Sequence, residues 1–511
     1  MTSSLFRALR LLVAGTWLLA LTAPPVGAED TAPEIAQPGL QWFNVAAPVP
    51  MASLRGRIVV LDFWTEGCIN CIHIIPILRD IETRYPDRVA VIGVHSPKFA
   101  REKSATSVSD AIRRYEIHHP VIHDPEMRLW QVYGVEAWPT LVIIGADGKV
   151  LGQVQGEPDP ERFRQSIADL VERSAAQLKP ARLALQPLPA PSGRFSFPAK
   201  LKPVPGAVRR WVLADAGHNQ IVLLDDRGND LRRFGDGTAG LVDGASGRAR
   251  FNHPQGLIAS SDAIFVADTG NHAIRRIDLA SGAVSILAGT GQRGHGLGAA
   301  QPALKTALAS PWDLELKTQQ LYFANAGTHQ IGVLSLADGK VSALAGSGAE
   351  ALTDGGAEEA GFAQPSGLAM SADGGTLYVA DAESSAIRAI ALRAPVRVKT
   401  LVGAGLFDFG RVDGGFSSAR LQHPLGVAVA EEGLLVADTY NSTIRALDLQ
   451  RRTVGEFDGG GFTCVDPVCI PTREPAGIVA DGRDRVLLVD TGNQRIEEYR
   501  PSAKTYRTWA R

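Results

Sequence analysis

The strongest constraint on the fold is a pattern that recurs six times beyond residue 195. In every copy an acid or amide is followed six positions later by an isoleucine, and the copies begin 52 to 57 residues apart. The copies begin at Asp215, Asp268, Asn325, Asp381, Asp438 and Asp490. A repeat of this length, made of short strands and glycine turns, is typical of a β-propeller in which each repeat forms one four-stranded blade. The sequence therefore predicts six blades over residues 195–511.

A proline turn and an apolar run precede each repeated acid. Five of these turns have a Pro-x-Gly-like pattern, and Pro198 begins a weaker first member. The five begin at Pro254, Pro311, Pro365, Pro424 and Pro475. Asx side chains bond their own backbone in tight turns, which accounts for the repeated acids. The alternative is that the acids line a central channel and bind a cation or substrate, as in a propeller hydrolase or lyase that uses a channel metal.

The chain before the repeats has a different pattern. Residues 35–174 alternate strand-like and helix-like segments, which favours an open α/β sheet. Residues 175–194 are rich in proline and read as a semi-stiff linker. We therefore expect a multidomain chain, with an α/β domain followed by an all-β six-bladed propeller.

Two cysteines, Cys68 and Cys71, lie where a predicted buried strand, residues 58–63, gives way to a predicted helix. First-turn amides and the helix dipole favour a thiolate at Cys68, the expected nucleophile. Cys71 is almost one turn further on the same face and is the expected resolving thiol. A static disulfide and half of a zinc site are the alternatives. Zinc would need a second pair, and the other cysteines are nearly 400 positions away.

The α/β segment resembles the thioredoxin fold in three places. These are Asp62-Phe63-Trp64, the C-x-x-C motif at the strand-to-helix junction, and Trp138-Pro139-Thr140 ahead of a strand. The resemblance implies that Pro139 is cis and packs beside Cys68, and that Asp62 assists proton transfer at Cys71. The sequence departs from the family between the cysteines, where Ile69-Asn70 replaces the usual Gly-Pro.

The repeated pattern resembles the NHL repeat. A thioredoxin-like domain followed by an NHL-type propeller is the arrangement of the NHL-repeat-containing protein two family and its bacterial relatives. The resemblance covers nearly all of the chain after the N-terminal segment.

Two further groups of metal-ligand or thiol residues have structural interpretations. Cys464 and Cys469 flank a loop without helix character, which favours a structural disulfide in the sixth blade over a second redox centre. His118, His119 and His123 could suggest a metal. Adjacent residues in a strand-like run face opposite ways, so surface or packing roles are favoured.

The N-terminus has the order of a secretory signal. Arg7 and Arg10 precede an apolar stretch, residues 11–23, and a small-residue segment that ends at Ala28. We expect a signal peptide over residues 1–28, cleavage after Ala28, and export to the bacterial periplasm, with no stable membrane span after cleavage. An uncleaved anchor is the alternative.

The functional hypothesis combines the motif with export. It is a thiol-disulfide oxidoreductase that acts on a protein disulfide, exchanges electrons with a thiol partner, and uses no cofactor beyond a redox-active Cys68–Cys71 disulfide. The propeller would be a protein-docking platform. Lys and Arg total 52 against 54 for Asp and Glu, without a basic run, which argues against nucleic acid as a partner. The competing hypothesis is a non-catalytic propeller scaffold that binds a protein or glycan and carries a vestigial thioredoxin-like domain.

Overall fold

The computed structural model describes residues 30–511. The signal peptide predicted at residues 1–28 lies outside the described residues. Within the described part, none of the helices is both long enough and apolar enough to cross a bilayer.

Residues 30–174 form an α/β module around one mixed sheet. Its strands are β1 (Gln41–Phe43), β2 (Ile58–Trp64), β3 (Val89–His95), β4 (Val121–His123), β5 (Thr140–Ile144) and β6 (Val150–Gln155). Its α-helices are α1 (Ile69–Arg84), α2 (Ala105–Arg114), α3 (Arg128–Val132) and α4 (Pro160–Arg173). The strand order is β1-β4-β3-β2-β5-β6.

The central strands of the module, β2 and β3, are buried along their whole length. They pair in parallel, whereas β5 runs antiparallel to β2. Helices α1 and α4 pack on one face of the sheet through Leu78, Phe163 and Ile167. Since both faces are covered, β2 does not alternate apolar and polar residues and is apolar apart from Asp62. The end of β2 leads directly into α1, which positions the cysteine motif.

The first three blades follow in chain order. Blade 1 contains β7 (Pro198–Val204), β8 (Arg210–Asp215), β9 (Gln220–Asp225) and β10 (Asp230–Phe234). Blade 2 contains β11 (Leu257–Ala259), β12 (Ala263–Asp268), β13 (Ala273–Asp278) and β14 (Val284–Ala288). Blade 3 contains β15 (Gln301–Pro302), β16 (Pro311–Lys317), β17 (Gln320–Asn325), β18 (Gln330–Ser335) and β19 (Lys340–Ala345).

The last three blades, like blade 3, each carry a short fifth strand on the outer edge. Blade 4 contains β20 (Gly355–Gly356), β21 (Pro365–Met370), β22 (Thr376–Asp381), β23 (Ala386–Ala391) and β24 (Arg397–Val402). Blade 5 contains β25 (Gly414–Gly415), β26 (Gly426–Ala430), β27 (Gly433–Asp438), β28 (Thr443–Asp448) and β29 (Thr453–Glu456). Blade 6 contains β30 (Thr463–Cys464), β31 (Pro475–Ala480), β32 (Val486–Asp490), β33 (Arg495–Arg500) and β34 (Thr505–Ala510).

The innermost strand of every blade faces the propeller axis. In residues 195–511 these strands are β7, β11, β16, β21, β26 and β31, and each contacts the next around the propeller axis. Strand β31 contacts β7, which closes the circle between the last blade and the first. The expected α/β domain followed by a six-bladed propeller is therefore confirmed.

Residues 175–194, predicted as a linker, run along the module. The backbone N–H of Gln186 donates to the carbonyl of Asn44 at 2.7 Å. The side chain of Asn44 in turn accepts from the N–H of Leu188 at 3.0 Å. These contacts hold the segment against the module before the chain enters blade 1.

Candidate functional site

Cys68 is the N-cap residue of α1, at the end of the turn that follows β2. Its Sγ accepts a hydrogen bond from the backbone N–H of Cys71 at 3.2 Å. Because the helix N-terminus favours negative charge, this geometry suits a thiolate at Cys68. Both cysteines are unpaired thiols, with Cys68 8% exposed and Cys71 1% exposed. Cys68 is thus the thiol that a partner would reach first.

Cys71 and Asp62 are buried together behind Cys68. Burial raises the pKa of the Cys71 thiol well above its usual value, and Cys68 and the charge on Asp62 raise it further. Burial also raises the pKa of Asp62 to about 7, against a smaller opposing effect of His119. A carboxyl group with a pKa near neutrality, close to a protonated thiol, is suited to accept the thiol proton.

The segment Trp138-Pro139 lies beside the two cysteines. Trp138 packs against the apolar cluster that contains Cys68 and Cys71, and its indole N–H donates to the carbonyl of Ser96 at 2.8 Å. The Trp138–Pro139 peptide bond is cis. The structure therefore brings the segment expected to border the cysteines into their neighbourhood.

The turn that carries Cys68 faces the propeller. The side chain of Gln364 accepts from the N–H of Ile69 at 2.8 Å and donates to the carbonyl of Gly67 at 2.9 Å. A single side-chain amide from blade 4 therefore clamps the backbone on both sides of Cys68. A Cβ added at Gly67 would lie 2.8 Å from the imidazole of His423 and from the Tyr440 hydroxyl, so a larger residue would push these side chains aside.

Gln364 is one of six equivalent propeller residues, each immediately before the first proline of its repeat. This set, which we call the ring, consists of Phe197, His253, Ser310, Gln364, His423 and Glu474. All six have positive φ, between 44° and 58°. Non-glycine residues rarely adopt this conformation, and it persists where surrounding contacts hold it. The repeat thus presents one projecting side chain per blade at the same end of the propeller.

The repeated residue of each blade, an acid in five blades and Asn325 in blade 3, holds the loop that presents the ring residue. Its Oδ1 accepts, at 2.7 to 2.9 Å, from the backbone N–H of the residue just before the ring residue. Four acids also pair with a buried arginine of the same blade, as Asp268 does with Arg275 at 2.9 Å. The turn role predicted for the acids therefore has a definite geometry.

Every ring residue contacts the module. The guanidinium of Arg114 lies 5.0 Å from the Phe197 ring centre, and the His253 Nε2 bonds the Arg114 carbonyl at 3.0 Å. The Ser310 hydroxyl bonds His73 Nε2 at 2.8 Å. The imidazole of His423 packs against the phenyl group of Phe99, with 5.2 Å between their centroids. With Gln364 and Glu474, these contacts cover the side of the module that carries Cys68.

Glu474 provides a charge contact between the two parts of the chain. Its carboxylate pairs with both Arg101 and Arg114 of the module. Burial opposes ionisation, but the two arginines outweigh it and lower the pKa of Glu474 to about 2. Glu474 is therefore ionised at neutral pH, and removing either arginine would weaken the docking of the module.

A small cavity of about 50 Å³ lies between the turn and the ring. Glu66, His253 and Tyr440 are among its lining residues. Glu66 is 1% exposed, neither carboxyl oxygen has a hydrogen-bond partner among the described residues, and burial raises its pKa well above the usual value. The volume accommodates roughly three water molecules, so the cavity suits solvent rather than an organic ligand.

An ion pair joins the inner strands of blades 1 and 3. The third residue of the Pro-x-Gly turn is glycine in four blades, but it is Lys200 in blade 1 and Asp313 in blade 3. The Lys200 ammonium lies 3.9 Å from the Asp313 carboxylate and donates to the carbonyl of Ala476 at 2.9 Å. Burial lowers the pKa of Lys200 to about 8. A lysine at this position disfavours a cation in the channel.

The histidines of the module have separate partners. His119 bonds Glu82 at 3.2 Å, and His123 bonds the carbonyl of Lys103 at 3.0 Å. Across residues 30–511, no group of three or more His, Cys, Asp or Glu side chains could hold a metal ion.

Cys464 and Cys469 form a disulfide with their Cα atoms 6.0 Å apart. The bridge closes an exposed loop of blade 6, in which Val465 and Val468 are 57% and 72% exposed. This pair lies on neither the ring nor the module interface.

Comparison with known proteins follows the same division of the chain. Residues 56–150 match the family model described as Thioredoxin-like, and residues 362–390 match the NHL repeat. The fold and the motif thus define a thioredoxin-like module joined to an NHL-repeat propeller. NHL repeat-containing protein 2 of Gallus gallus is 36% identical over 508 residues, covering 91% of this chain and 70% of that protein. The chain belongs to the family of NHL repeat-containing protein 2.

Two further relatives match this chain, one over most of its length and one over the module alone. Protein SUPPRESSOR OF QUENCHING 1, chloroplastic, of Arabidopsis thaliana is 36% identical over 486 residues, covering 89% of this chain and 45% of that protein. Thiol-disulfide oxidoreductase ResA of Bacillus cereus is 25% identical over 119 residues, covering 23% of this chain and 66% of ResA. The module is thus related to thiol-disulfide oxidoreductases.

The sequence interpretation missed the ring and the charges around the cysteine turn. Their signal was a fixed position with a varying residue: the position before the repeat proline holds phenylalanine, histidine, serine, glutamine or glutamate. Lys98 was also missed, because it belongs to none of the motifs that indicated a function.

Proposed function

We propose that this chain is an exported thiol-disulfide oxidoreductase in which Cys68 is the attacking thiol and Cys71 the resolving thiol. The observation that carries the proposal is the position of Cys68 at the N-terminus of α1, with a backbone N–H on its Sγ and the more deeply buried Cys71 in the first turn. Relatedness of the module to thiol-disulfide oxidoreductases supports the same chemistry.

The reaction transfers two electrons to the partner. The Cys68 thiolate attacks one sulfur of a protein disulfide, a mixed disulfide forms, and the partner's other sulfur leaves as a thiolate. The Asp62 carboxylate takes the proton from Cys71. The Cys71 thiolate then attacks Cys68 Sγ, which releases the second partner thiolate and leaves a Cys68–Cys71 disulfide. A thiol electron partner reduces this disulfide, and Pro139 borders the substrate groove.

Access to Cys68 is the special feature of this enzyme. With Cys68 8% exposed and Gln364 bonded on both sides of it, a bulky protein disulfide reaches the thiol when the module and ring separate at this edge. The propeller then selects the substrate by controlling this opening. Its ring face is occupied by the module in the closed state, so any protein docking uses another face or the opened ring.

An exported location is supported by two features. The predicted signal sequence of residues 1–28 is one, and the exposed Cys464–Cys469 disulfide is the other, because such bonds persist in oxidising compartments. We place the protein in the bacterial periplasm.

Insulin reduction by the mature full chain, with dithiothreitol as electron donor, tests the proposal. We expect turnover by the unmodified protein and background rates for Cys68→Ser. A small disulfide such as hydroxyethyl disulfide, measured in parallel, should react faster than insulin because it needs less opening. Unchanged insulin reduction by Cys68→Ser would reject the mechanism.

The burial of the motif favours one alternative, a scaffold with an inert module. It predicts that neither insulin nor the small disulfide is reduced and that Cys71→Ser forms no mixed disulfide with either of them.

A further inference from the structure

Lys98 is held at the turn that carries Cys68. The carboxylate of Glu102 accepts from the backbone N–H of Gly67 at 3.2 Å through one oxygen and from that of Lys98 at 2.7 Å through the other. Glu102 is fully buried, so this bridge fixes the Lys98 backbone relative to the cysteine turn. The Lys98 side chain is only 6% exposed.

The propeller supplies the counter-charge of Lys98. The Glu383 carboxylate of blade 4 pairs with the Lys98 ammonium and is also 6% exposed. Its second oxygen lies 3.4 Å from Nδ1 of His423, whose ring contacts Gly67. Glu383 thus faces the same turn from the propeller side, with Lys98 on the module side.

Both members of this pair are charged at neutral pH. Burial opposes ionisation of Glu383, but Lys98 and His423 outweigh it and lower its pKa to about 2. Burial lowers the pKa of Lys98, but Glu383 and Glu350 more than compensate, and Cys68 also interacts with this charge. Glu102 faces Glu383 and His423 from the module. Glu350 and His329 face Glu383 from the propeller.

The Lys98 ammonium pairs with the Glu383 carboxylate, and the Glu102 bridge to Gly67 holds Lys98 beside the turn that carries Cys68. The positive charge of Lys98 favours the Cys68 thiolate, which is the nucleophilic form, and the nearby carboxylate offsets that effect. We propose that Glu383 is a positioning residue of the propeller that sets the nucleophilicity of Cys68 through Lys98. This inference rests on the proposed role of Cys68 as the attacking thiol.

The physical consequence is that opening the interface changes both the access to Cys68 and its nucleophilicity. When the ring moves away from the module, Glu383 leaves Lys98, and the ammonium is free to stabilise the Cys68 thiolate. The thiol is therefore held less nucleophilic in the closed state and becomes more nucleophilic as the substrate gains entry.

The test is the pH profile of Cys68 alkylation by iodoacetamide in the full chain carrying Cys71→Ser. Cys68 is then the one cysteine outside the disulfide, because the chain has four cysteines and two of them are bridged. The midpoint of the profile reports the thiol-thiolate equilibrium, and the high-pH plateau reports access. The two readouts are scored separately, so a gain in access alone appears in the plateau and not in the midpoint.

Glu383→Gln should lower the midpoint by about one unit, which is a roughly tenfold larger thiolate fraction well below the midpoint. Lys98→Met should raise the midpoint by a similar amount. In the Lys98→Met background, Glu383→Gln should leave the midpoint unchanged. The matched control is Glu315→Gln, which removes the buried partner of Lys202, 2.6 Å away inside the propeller, and should not move the midpoint.

Three results would overturn the inference: no midpoint shift in Glu383→Gln, a change in the plateau alone, or an equal shift with and without Lys98. The proposed function fails separately, if Cys68→Ser still reduces insulin, because alkylation needs no turnover.

Discussion

The two cysteine pairs differ in almost every physical respect. Cys68 and Cys71 are unpaired, buried, and joined by the first turn of a helix that faces a ring of propeller side chains. Cys464 and Cys469 are bridged in an exposed loop, away from helix termini. The difference shows that surroundings, rather than close spacing of two cysteines, determine what a pair can do. A helix N-terminus and a neighbouring ammonium favour a thiolate, whereas an exposed loop offers neither.

The largest expected effect is on insulin turnover, which should depend on the Cys68–Cys71 pair and not on the Cys464–Cys469 pair. Cys71→Ser should reduce insulin turnover by at least about a hundredfold while keeping the first attack, since nothing then resolves the mixed disulfide. The matched variant Cys469→Ser should stay within about twofold of the unmodified rate. Mass spectrometry should detect an accumulated mixed disulfide at Cys68 in the first variant. Equal losses in both variants would remove the distinction between the pairs.

The next effect concerns the proton on Cys71. Asp62→Asn should slow resolution of the mixed disulfide by about a hundredfold, the usual scale of general-base catalysis. The pKa of Asp62 is raised to about 7, so its carboxylate form is lost as pH falls through 7. The resolution rate of the unmodified protein should therefore fall tenfold per unit below pH 7.

Stopped-flow release of a labelled thiol partner measures this resolution step. The Asp62→Asn profile should lack the inflection near pH 7. An inflection that persists in the variant would assign the proton transfer to another group.

A smaller effect concerns access. Gln364→Ala should raise the rate of insulin reduction severalfold and change the rate with hydroxyethyl disulfide less, because it removes the clamp across Cys68. Gln364→Glu is the control, since its carboxylate can still accept from Ile69 N–H but cannot donate to the Gly67 carbonyl. Steady-state rates with both substrates decide the outcome. A slower Gln364→Ala enzyme would show that the clamp assists the reaction.

The smallest effect belongs to the blade 6 disulfide. Replacing both Cys464 and Cys469 by serine should cost about 2 kcal/mol of stability, the loop-closure value for so short a loop. Chemical denaturation monitored by circular dichroism measures the change, and insulin reduction should be unaffected. A loss of reduction without a loss of stability would point to a redox role for this pair.

The sequence predicted the module and the propeller individually, but not the contacts between them. The repeated acids indicated six blades because each acid acts within its own blade, on a loop less than 20 residues away, as Asp268 does on Asn252. The C-x-x-C motif was recognisable because β2 and α1 are adjacent in the chain. These are local features, and local sequence carries them.

The contacts of the ring with the module were not predictable in the same way. Gln364 lies nearly 300 residues from Gly67, and Glu383 lies nearly as far from Lys98. A lone Gln before a repeat proline reads as a turn residue, and only the relative placement of the module shows that it covers a thiol. The site therefore combines the cysteine turn, whose residues are adjacent in the sequence, with side chains from distant blades.

The most direct test of the account is a redox titration of the full mature chain in dithiothreitol buffers. Free thiols are trapped by rapid alkylation and each cysteine is quantified by mass spectrometry. We predict that Cys68 and Cys71 interconvert reversibly between dithiol and disulfide, while Cys464–Cys469 stays oxidised through that transition. Cys68 and Cys71 that remain dithiols at every potential, or that change only together with Cys464 and Cys469, would contradict the account.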